Sequence, residues 1–513
     1  MSGSSSASDR PGVNSRFEAS CRVPVTREQL FAYHEAPGAL ERLIPPWENV
    51  RLESSDRSLA PGSRVVLRTN LGPIPLRWVA VHGDYDPPRR FEDTQLSGPF
   101  AHWQHVHRFE RSDDPEDSSN SPSSASGFGT ESQLFDQVDY RLPGGWIGNA
   151  VAGGWVRRQL DAMFRYRHRV THDDLALFQR YRLPPLTVAV SGATGLVGSQ
   201  LSGLLGLAGH QVIRLVRSPS QSSFGLSTAN RAPGAEESVE AIAARAVTPA
   251  ASSAVAAWSS SAEVARLNGI DAVVHLAGKS IGEGRWSAAN KREIAESRVW
   301  PTRQLCESLA RLPHPPKALL CASAIGIYGN RGDEWLNESS SAGHDFLADV
   351  GTAWEDACQP AVDAGIRVVH LRFGLVLSPR GGALAKLLLP VKLGLGGPLG
   401  NGRQWWSWIG IDDAISAIYH VLATPQLNGP VNLVAPHPAT NADFTRSLGR
   451  VLRRPTLFPA PAFALRLVLG EMADALLLSS TRVRPNRLQE TGYVFRDTDL
   501  ANCLSHLLGR SRR

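Results

Sequence analysis

The first third of the chain alternates apolar and polar residues in short runs, which one long helical run then follows. Residues 17–23 alternate as a half-buried strand does, and residues 26–33 form a helical run that Thr26 caps. Four further runs have strand periodicity and are separated by turn residues: 63–68, 76–85, 101–110 and 131–141. Residues 154–178 repeat apolar residues at helical spacing. This order predicts an α+β helix-grip domain.

The rest of the chain contains short, continuous apolar runs instead. Residues 186–190 are such a run, as expected for a strand buried on both faces of a parallel sheet. A glycine-rich turn, a helical run and a second strand at 210–217 follow, and similar runs recur at 271–276, 319–323 and 368–373. The pattern predicts an α/β fold, a Rossmann-type doubly wound parallel sheet. The predicted divisions are a disordered tail at 1–14, the helix-grip domain at 15–182, the Rossmann domain at 186–435 with a low-complexity insertion at 218–257, and a small C-terminal domain at 436–510.

The glycine-rich turn has the residues that a dinucleotide pyrophosphate needs. Gly192 permits the tight turn, Gly195 lets the backbone approach the phosphates, and Gly198 allows close helix packing. The helix N-terminus then stabilises the phosphate charge. The position between a strand and a helix makes this a strong signal. The predicted contacts of this turn are Gly192, Thr194, Gly195, Leu196, Val197 and Gly198.

The end of the second strand indicates which nucleotide binds. NAD enzymes place an acidic residue there, whereas this strand ends in Arg217, which can pair with a 2′-phosphate. We therefore predict NADP(H) as the cofactor; the alternative is that Arg217 is a solvated strand end. Later strand ends add predicted cofactor contacts at the same edge of the sheet, Leu276, Ala277, Gly278 and Gly374, and Ser323 is expected at that edge too.

Composition narrows the remaining possibilities. The 513 residues carry a formal charge of +6, and no block of basic residues indicates nucleic acid. The five cysteines are far apart, so we predict no metal site and a reducing, cytoplasmic location. The N-terminus lacks the apolar segment of a signal peptide, and no run approaches the ~18 apolar residues of a membrane span.

Several longer segments resemble one family. The segments are GATGLVG, GEGRW, GLGGPLGNGRQW and LGEMAD, spread over residues 186–508. They resemble the epimerase-like atypical short-chain dehydrogenases/reductases (NAD-dependent epimerase/dehydratase-like), which have their own C-terminal domain of unknown function. The first domain resembles the START-like (polyketide cyclase/coenzyme Q-binding) superfamily, which implies an apolar ligand; a filled, structural interior is the alternative. The resemblance also implies cofactor contacts at Ser297 and Arg298.

One departure from the superfamily concerns its catalytic Tyr and the Lys four residues later. None of the eight tyrosines here has such a lysine, and motif context puts the two positions near Leu347 and Gly351. Ser323 and Tyr328 are the substitute catalytic candidates, with Glu355 as an alternative base. Each also has a structural explanation: backbone capping, packing and ion pairing respectively.

Three functions therefore remain open. The chain is an NADP(H)-dependent oxidoreductase or epimerase for an unknown small substrate, with non-standard acid/base residues. Alternatively, it is a catalytically weak NADP(H)-sensing or regulatory protein, to which the missing pair points. The third function concerns the first domain, which would carry a lipid- or quinone-like ligand.

Overall fold

The computed structural model describes residues 15–71, 74–112, 131–216, 254–257 and 261–510. It divides into two compact units: one contains the chain up to Arg182 together with residues 501–513, and the other is Leu183–Leu500. The predicted tail at 1–14, Arg217 and most of the predicted insertion lie outside the described residues. Residues 501–510, predicted to belong to the C-terminal domain, group with the first unit.

The first unit is built on a seven-stranded antiparallel sheet in the order β1-β7-β6-β5-β4-β3-β2. Its strands are β1 (Ser15–Val23), β2 (Arg51–Ser55), β3 (Arg64–Leu71), β4 (Ile74–Asp86), β5 (Arg90–Ser97), β6 (His102–Arg111) and β7 (Ser132–Arg141). Its helices are α1 (Arg27–Glu35), α2 (Ala39–Leu43) and the 37-residue α3 (Gly145–Tyr181). The predicted helix-grip order is confirmed.

Helix α3 begins nine residues before the predicted start. Gly144 and Gly145 have positive φ values of 82° and 60°, which glycine adopts without strain, and so the chain turns directly from β7 into the helix. Apolar residues in the first turns of α3, such as Trp146 and Val151, are exposed. They do not recur at the helical spacing that marks a face packed against the core. Periodicity appears only at Val156, where the helix meets the sheet.

The interior under α3 changes from apolar to polar along the helix. Near its start, Leu160 and Phe164 pack with Phe17, Trp103 and Val138 from the sheet. Further along, the buried residues of α3 include His168, Thr171 and Asp174. Buried polar side chains require partners, so this half of the interior holds a hydrogen-bonded network.

The second unit contains a seven-stranded sheet in which every described strand pair is parallel, in the order β10-β9-β8-β11-β12-β14-β18. Its strands are β8 (Thr187–Ser191), β9 (Gln211–Val216), β10 (Ala254–Ala257), β11 (Ala272–His275), β12 (Ala318–Ala324), β14 (Arg367–Phe373) and β18 (Gly429–Leu433). Strand order reverses between β8 and β11, which is the switch point where ligands bind in such sheets. The predicted Rossmann-type fold is confirmed.

The predicted insertion at 218–257 is wrong at its end. Residues Ala254–Ala257 form strand β10, which pairs with β9 at the edge of the sheet. An edge strand hydrogen-bonds to one neighbour only, so four residues suffice. Because the sequence around this segment is rich in Ala and Ser, its composition did not indicate a strand.

The remaining elements surround this sheet and form the C-terminal part. The helices are α4 (Leu196–Leu207), α5 (Ser261–Val264), α6 (Ala288–Ala310), α7 (Phe346–Asp356), α8 (Gln359–Asp363), α9 (Gly382–Lys392), α10 (Ile411–Ala423), α11 (Asn441–Leu452), α12 (Ala462–Leu469) and α13 (Asn486–Glu490). The last helix, α14 (Leu500–Leu507), groups with the first unit from Ala501 onward. Short strands pair as β13 (Trp335–Leu336) with β20 (Arg482–Val483), β15 (Leu375–Leu377) with β17 (Trp408–Gly410), and β16 (Trp405–Trp406) with β19 (Ala439–Thr440). Single turns of other helix types lie at Ala265–Leu267, Ile325–Tyr328 and Ala473–Leu478. Among the described helices, none has both the length and the apolar character needed to cross a bilayer.

Candidate functional site

A cavity of about 520 Å³ opens at the carboxyl edge of the parallel sheet in the second unit. Gly192 after β8 and Leu276 after β11 lie on its wall, so it occupies the switch point. Residues 475–477 and Trp405 contribute to the wall from the C-terminal part. The volume lies in the range of small-molecule and cofactor sites.

The glycine turn forms one side of the cavity, and two of its positions admit no side chain. Gly192 has a φ of +66°, and a Cβ there would lie 2.9 Å from the backbone carbon and oxygen of Leu276. A Cβ on Gly198 would lie 2.2 Å from the carbonyl oxygen of Gly192. Helix α4 starts at Leu196, and no side chain caps its first turn. The first backbone N–H groups therefore stay available for an anion.

Ser191 connects the two strands at the switch point. Its Oγ accepts hydrogen bonds from the backbone N–H groups of Leu276 at 3.0 Å and Ala277 at 3.3 Å, and it lies 2.7 Å from Nδ1 of His275. Nε2 of His275 in turn lies 3.0 Å from Oγ1 of Thr302 on α6. These contacts hold the chain after β11 against the glycine turn, which gives the cavity a rigid floor.

Arg298 places a positive charge on the cavity wall. Its guanidinium donates to the carbonyl oxygens of Lys279 at 2.8 Å and Ile294 at 3.0 Å, and it lies over the ring of Trp354. Burial lowers the pKa of Arg298 to about 10. Within the described part of the chain, none of its hydrogen bonds or ion pairs involves a carboxylate. A charge held without a counter-ion at a cavity is suited to an anionic ligand.

Ser323 lies at the end of β12 and connects the cavity to a buried ion pair. Its hydroxyl donates to Oε1 of Glu355 at 2.7 Å. Arg372 donates two hydrogen bonds of 2.8 Å to the same carboxylate. Burial alone would raise the pKa of Glu355, but Arg372 outweighs it and lowers that pKa below its ordinary value. Glu355 is therefore ionised, and Ser323 lies between it and the cavity.

Tyr328, the other catalytic candidate, does not reach the cavity. Its side chain is fully buried, and its hydroxyl donates to Oδ1 of Asn432 at 2.8 Å and accepts from Arg372 at 2.9 Å. Burial raises its pKa. Both contacts hold the hydroxyl inside the protein, away from the cavity wall.

The positions of the superfamily's missing pair do face the cavity. Leu347 and Gly351, one helical turn apart on α7, lie on its wall. Besides Arg298, the described wall contains one ionisable side chain, Asp345, whose carboxylate accepts from the N–H of Ala348 at 2.9 Å and caps α7. Where the superfamily has its acid/base pair, this wall is apolar.

The structure brings most of the predicted site residues together. Those on the wall are Gly192, Gly195, Leu196, Val197, Gly198, Leu276, Gly278, Arg298, Ser323 and Gly374. The described residues that lie outside it are Thr194, Ala277, Ser297 and Tyr328. Ser297 supports the wall from behind, because its Oγ accepts from the N–H of Lys279 at 3.2 Å.

Sequence reasoning missed two residues of the buried network, Arg372 and Asn432. Each interrupts an apolar strand, at Arg367–Phe373 and Gly429–Leu433. A charged or amide residue at a position that the strand pattern buries requires a partner, and this signal could have found both.

Comparison with known families agrees with these two units. Residues 188–434 match the NAD dependent epimerase/dehydratase family, and residues 460–507 match a domain of unknown function (DUF1731). Residues 23–164 match the polyketide cyclase / dehydrase and lipid transport family. The resemblance stated from the sequence motifs is thereby confirmed for all three parts.

Curated relatives cover the second unit. Epimerase family protein Mb2239 of Mycobacterium bovis is 38% identical over 326 residues, which is 63% of this chain and 98% of the relative. Epimerase family protein SDR39U1 of Homo sapiens is 32% identical over 326 residues, 63% of this chain and all of the relative (100%).

Two solved structures are similar as well. The nucleoside-diphosphate sugar epimerase from Corynebacterium glutamicum has a TM-score of 0.70 and 32% identity, covering 96% of this chain and 90% of that one. Human SDR39U1 (isoform2), solved with NADPH, has a TM-score of 0.54 and 31% identity, covering 63% of this chain and 99% of that one. The chain belongs to the NAD dependent epimerase/dehydratase family.

Proposed function

We propose that the second unit binds NADP(H) in the 520 Å³ cavity, with the pyrophosphate on the N-terminus of α4. The observation that carries the proposal is the glycine turn. A Cβ at Gly192 or Gly198 would overlap backbone atoms, and the N-terminus of α4, which no side chain caps, faces the cavity. NADPH in the human relative's structure supports this nucleotide. Arg217 also supports NADP(H), because it ends the second strand in the sequence, where an arginine can pair with the 2′-phosphate.

Arg298 contributes the positive charge that a nucleotide phosphate needs. We expect Arg298→Met to weaken NADPH binding by roughly 10- to 150-fold, because a charge-assisted hydrogen bond contributes about 1.5–3 kcal/mol. Isothermal calorimetry of the full chain measures this. Arg292→Met is the matched control, since Arg292 is an exposed arginine on the same helix. Equal NADPH affinity in the Arg298 and Arg292 variants would exclude Arg298 from the site.

We further propose that the chain transfers hydride between this cofactor and a small substrate, as an oxidoreductase or epimerase. Bound NADP(H) supplies or accepts the hydride. Ser323 is placed to accept the proton of a substrate hydroxyl while its own hydroxyl donates to Glu355. Arg372 keeps Glu355 ionised and also weakens it as a base, so the proton that Ser323 relays reaches this carboxylate only as the hydride leaves the alcohol.

Ser323→Ala tests this role. We expect the variant to bind NADPH as the wild-type chain does, since Glu355 keeps both hydrogen bonds to Arg372. Turnover should fall by about 10²-fold or more, because the proton path is interrupted. The assay follows nucleotide oxidation and reduction with panels of carbonyls, quinones and alcohols. Unchanged turnover in Ser323→Ala would contradict the role.

A second candidate function is a redox-state sensor that binds NADP(H) with little or no chemistry. The specific observation in its favour is the apolar wall at Leu347 and Gly351, together with the hydroxyl of Tyr328 being held elsewhere. Tight NADPH binding with no turnover across these panels would favour the sensor. Turnover that depends on Ser323 would exclude it.

For the first unit we propose an apolar, lipid- or quinone-like ligand. The match to the polyketide cyclase / dehydrase and lipid transport family supports it. The apolar half of the interior is rich in aromatic side chains, among them Trp78, Phe100 and Trp103, which pack against one another. Mass spectrometry of an organic extract of the purified full chain tests it.

A further inference from the structure

Histidine and aspartate side chains gather in the polar half of the first unit's interior. In the sheet register Asp93 on β5 lies opposite His105 on β6, and His107 lies opposite Asp136 on β7. Because alternate residues of a strand share a face, His105 and His107 point to the same side. The side chain of His105 is only 5% exposed and that of Asp136 only 2%.

Asp136 orients the imidazoles around it. Its Oδ1 accepts a hydrogen bond from Nε2 of His105 at 3.1 Å, which leaves Nδ1 of His105 facing Oδ2 of Asp93 at 3.4 Å. Its Oδ2 lies 2.6 Å from Nε2 of His168 on α3. Nδ1 of His107 is 2.7 Å from Oδ1 of Asp136. Asp136 therefore contacts one ring nitrogen of His105 and one of His107, which leaves the second ring nitrogen of each as the candidate metal donor.

We propose that Asp93, His105 and His107 bind a divalent first-row transition-metal ion such as Zn²⁺, and that Asp136 positions the two imidazoles. One donor atom from each of the three lies within 4.8 Å of the others, in the part of the chain that the structure describes. Ligands about 2.0–2.2 Å from a tetrahedral ion are roughly 3.3–3.5 Å apart, so small side-chain rotations would close the site. A carboxylate that holds the second ring nitrogen is the usual support for such ligands.

The carboxylates around the cluster favour a cation at this position. Asp93 and Asp136 both lie within 3.4 Å of a ring nitrogen of His105. The positive charge of the nearby Arg167 is offset, because Arg167 interacts with both of these carboxylates and also with Glu48.

Three protein ligands leave a fourth coordination position on such an ion. Sites of this composition, two imidazoles and one carboxylate, hold catalytic Zn²⁺ or Fe²⁺ and bind an oxygen donor at the open position. The site lies in the same interior as the apolar cluster around Phe164, since His105 contacts that ring. The site therefore suits a ligand with an apolar body and a carbonyl or hydroxyl end. The apolar body would contact the cluster around Phe164, and the oxygen atom would take the open coordination position.

Metal retention by the full chain tests the site. Any affinity tag is removed from the chain, and a chelator strips bound metal. The chain is then loaded with Zn²⁺ and desalted, and its metal content is measured by inductively coupled plasma mass spectrometry. Loading with Co²⁺ instead gives a visible absorption spectrum. We expect about one ion per wild-type chain and at least about tenfold less in His107→Gln and Asp93→Asn. Circular dichroism checks that both variants stay folded.

His172→Gln is the matched control, because this histidine of α3 is half exposed and lies beside Asp173. It should retain metal as the wild-type chain does. Retention by the wild-type chain of less than one-tenth of an ion, or equal retention by wild type and His107→Gln, would overturn the proposal. The cluster would then be a buried network of protons and ion pairs only.

Discussion

Gly198→Ala is expected to weaken NADPH binding by roughly a hundredfold, about 2.7 kcal/mol. The added Cβ would lie 2.2 Å from the carbonyl oxygen of Gly192, 2.8 Å from its carbon and 3.0 Å from Cα of Ala193. All three atoms are backbone, so the turn itself must move. The turn carries the first N–H groups of α4, and these must point at the pyrophosphate. Calorimetric titration of the full chain with NADPH measures the loss.

Gly203→Ala is the matched control for this experiment. Gly203 lies on the same helix, and nothing lies within 4 Å of the position that its Cβ would take. We expect unchanged NADPH affinity and a gain of about 0.5–1 kcal/mol in the free energy of unfolding, since alanine favours the helix. If Gly198→Ala bound NADPH as tightly as Gly203→Ala, the glycine turn would not hold the nucleotide.

Asp174→Ala is expected to lower the stability of the first unit by about 3–5 kcal/mol, because it leaves a buried charge without its partner. Asp174 on α3 accepts two hydrogen bonds of 2.9 Å from Arg42 and one of 3.0 Å from Tyr33. The side chains of Arg42 and Asp174 are 1% and 0% exposed. Hydrogen exchange of the α3 amides, read by mass spectrometry, reports the stability of this unit separately from the second.

Arg16→Ala provides the comparison. Arg16 pairs with Asp139 at 2.8 Å, but its side chain is 58% exposed, so solvent screens the interaction. We expect the free energy of unfolding of this variant to change far less than that of Asp174→Ala. A similar small change in Asp174→Ala would show that the Arg42 charge finds another partner and that the buried pair does not hold α3 to α2.

The parts of this protein that local sequence determines were the parts that could be predicted. Thr26 is the N-cap of α1, where its Oγ1 accepts from the N–H of Gln29, as the residue type at the start of a helical run suggests. The turn from Gly192 to Gly195 lies between β8 and α4, because strand, turn and helix follow one another closely along the chain. The short-range pattern therefore located this turn, which forms one side of the cavity.

Contacts between distant segments could not be predicted in the same way. The network of Ser323, Glu355, Arg372 and Tyr328 joins two strands, a helix and a turn, and only the strand order brings them together. Tyr328 was predicted as a catalytic residue, but it lies in the turn at Ile325–Tyr328 and its hydroxyl donates to Asn432. The histidine and aspartate cluster likewise depends on the register of three strands, and cysteine spacing carries no information about it.

The most direct test of nucleotide binding is a calorimetric titration of the purified full chain with NADPH and with NADH, repeated with Arg217→Glu. We predict one site per chain and at least tenfold tighter binding of NADPH, about 1.4 kcal/mol, with the preference lost in the variant. Heat of binding for neither nucleotide would contradict the proposal. The glycine turn would then be structural, and function would have to be sought in the first unit.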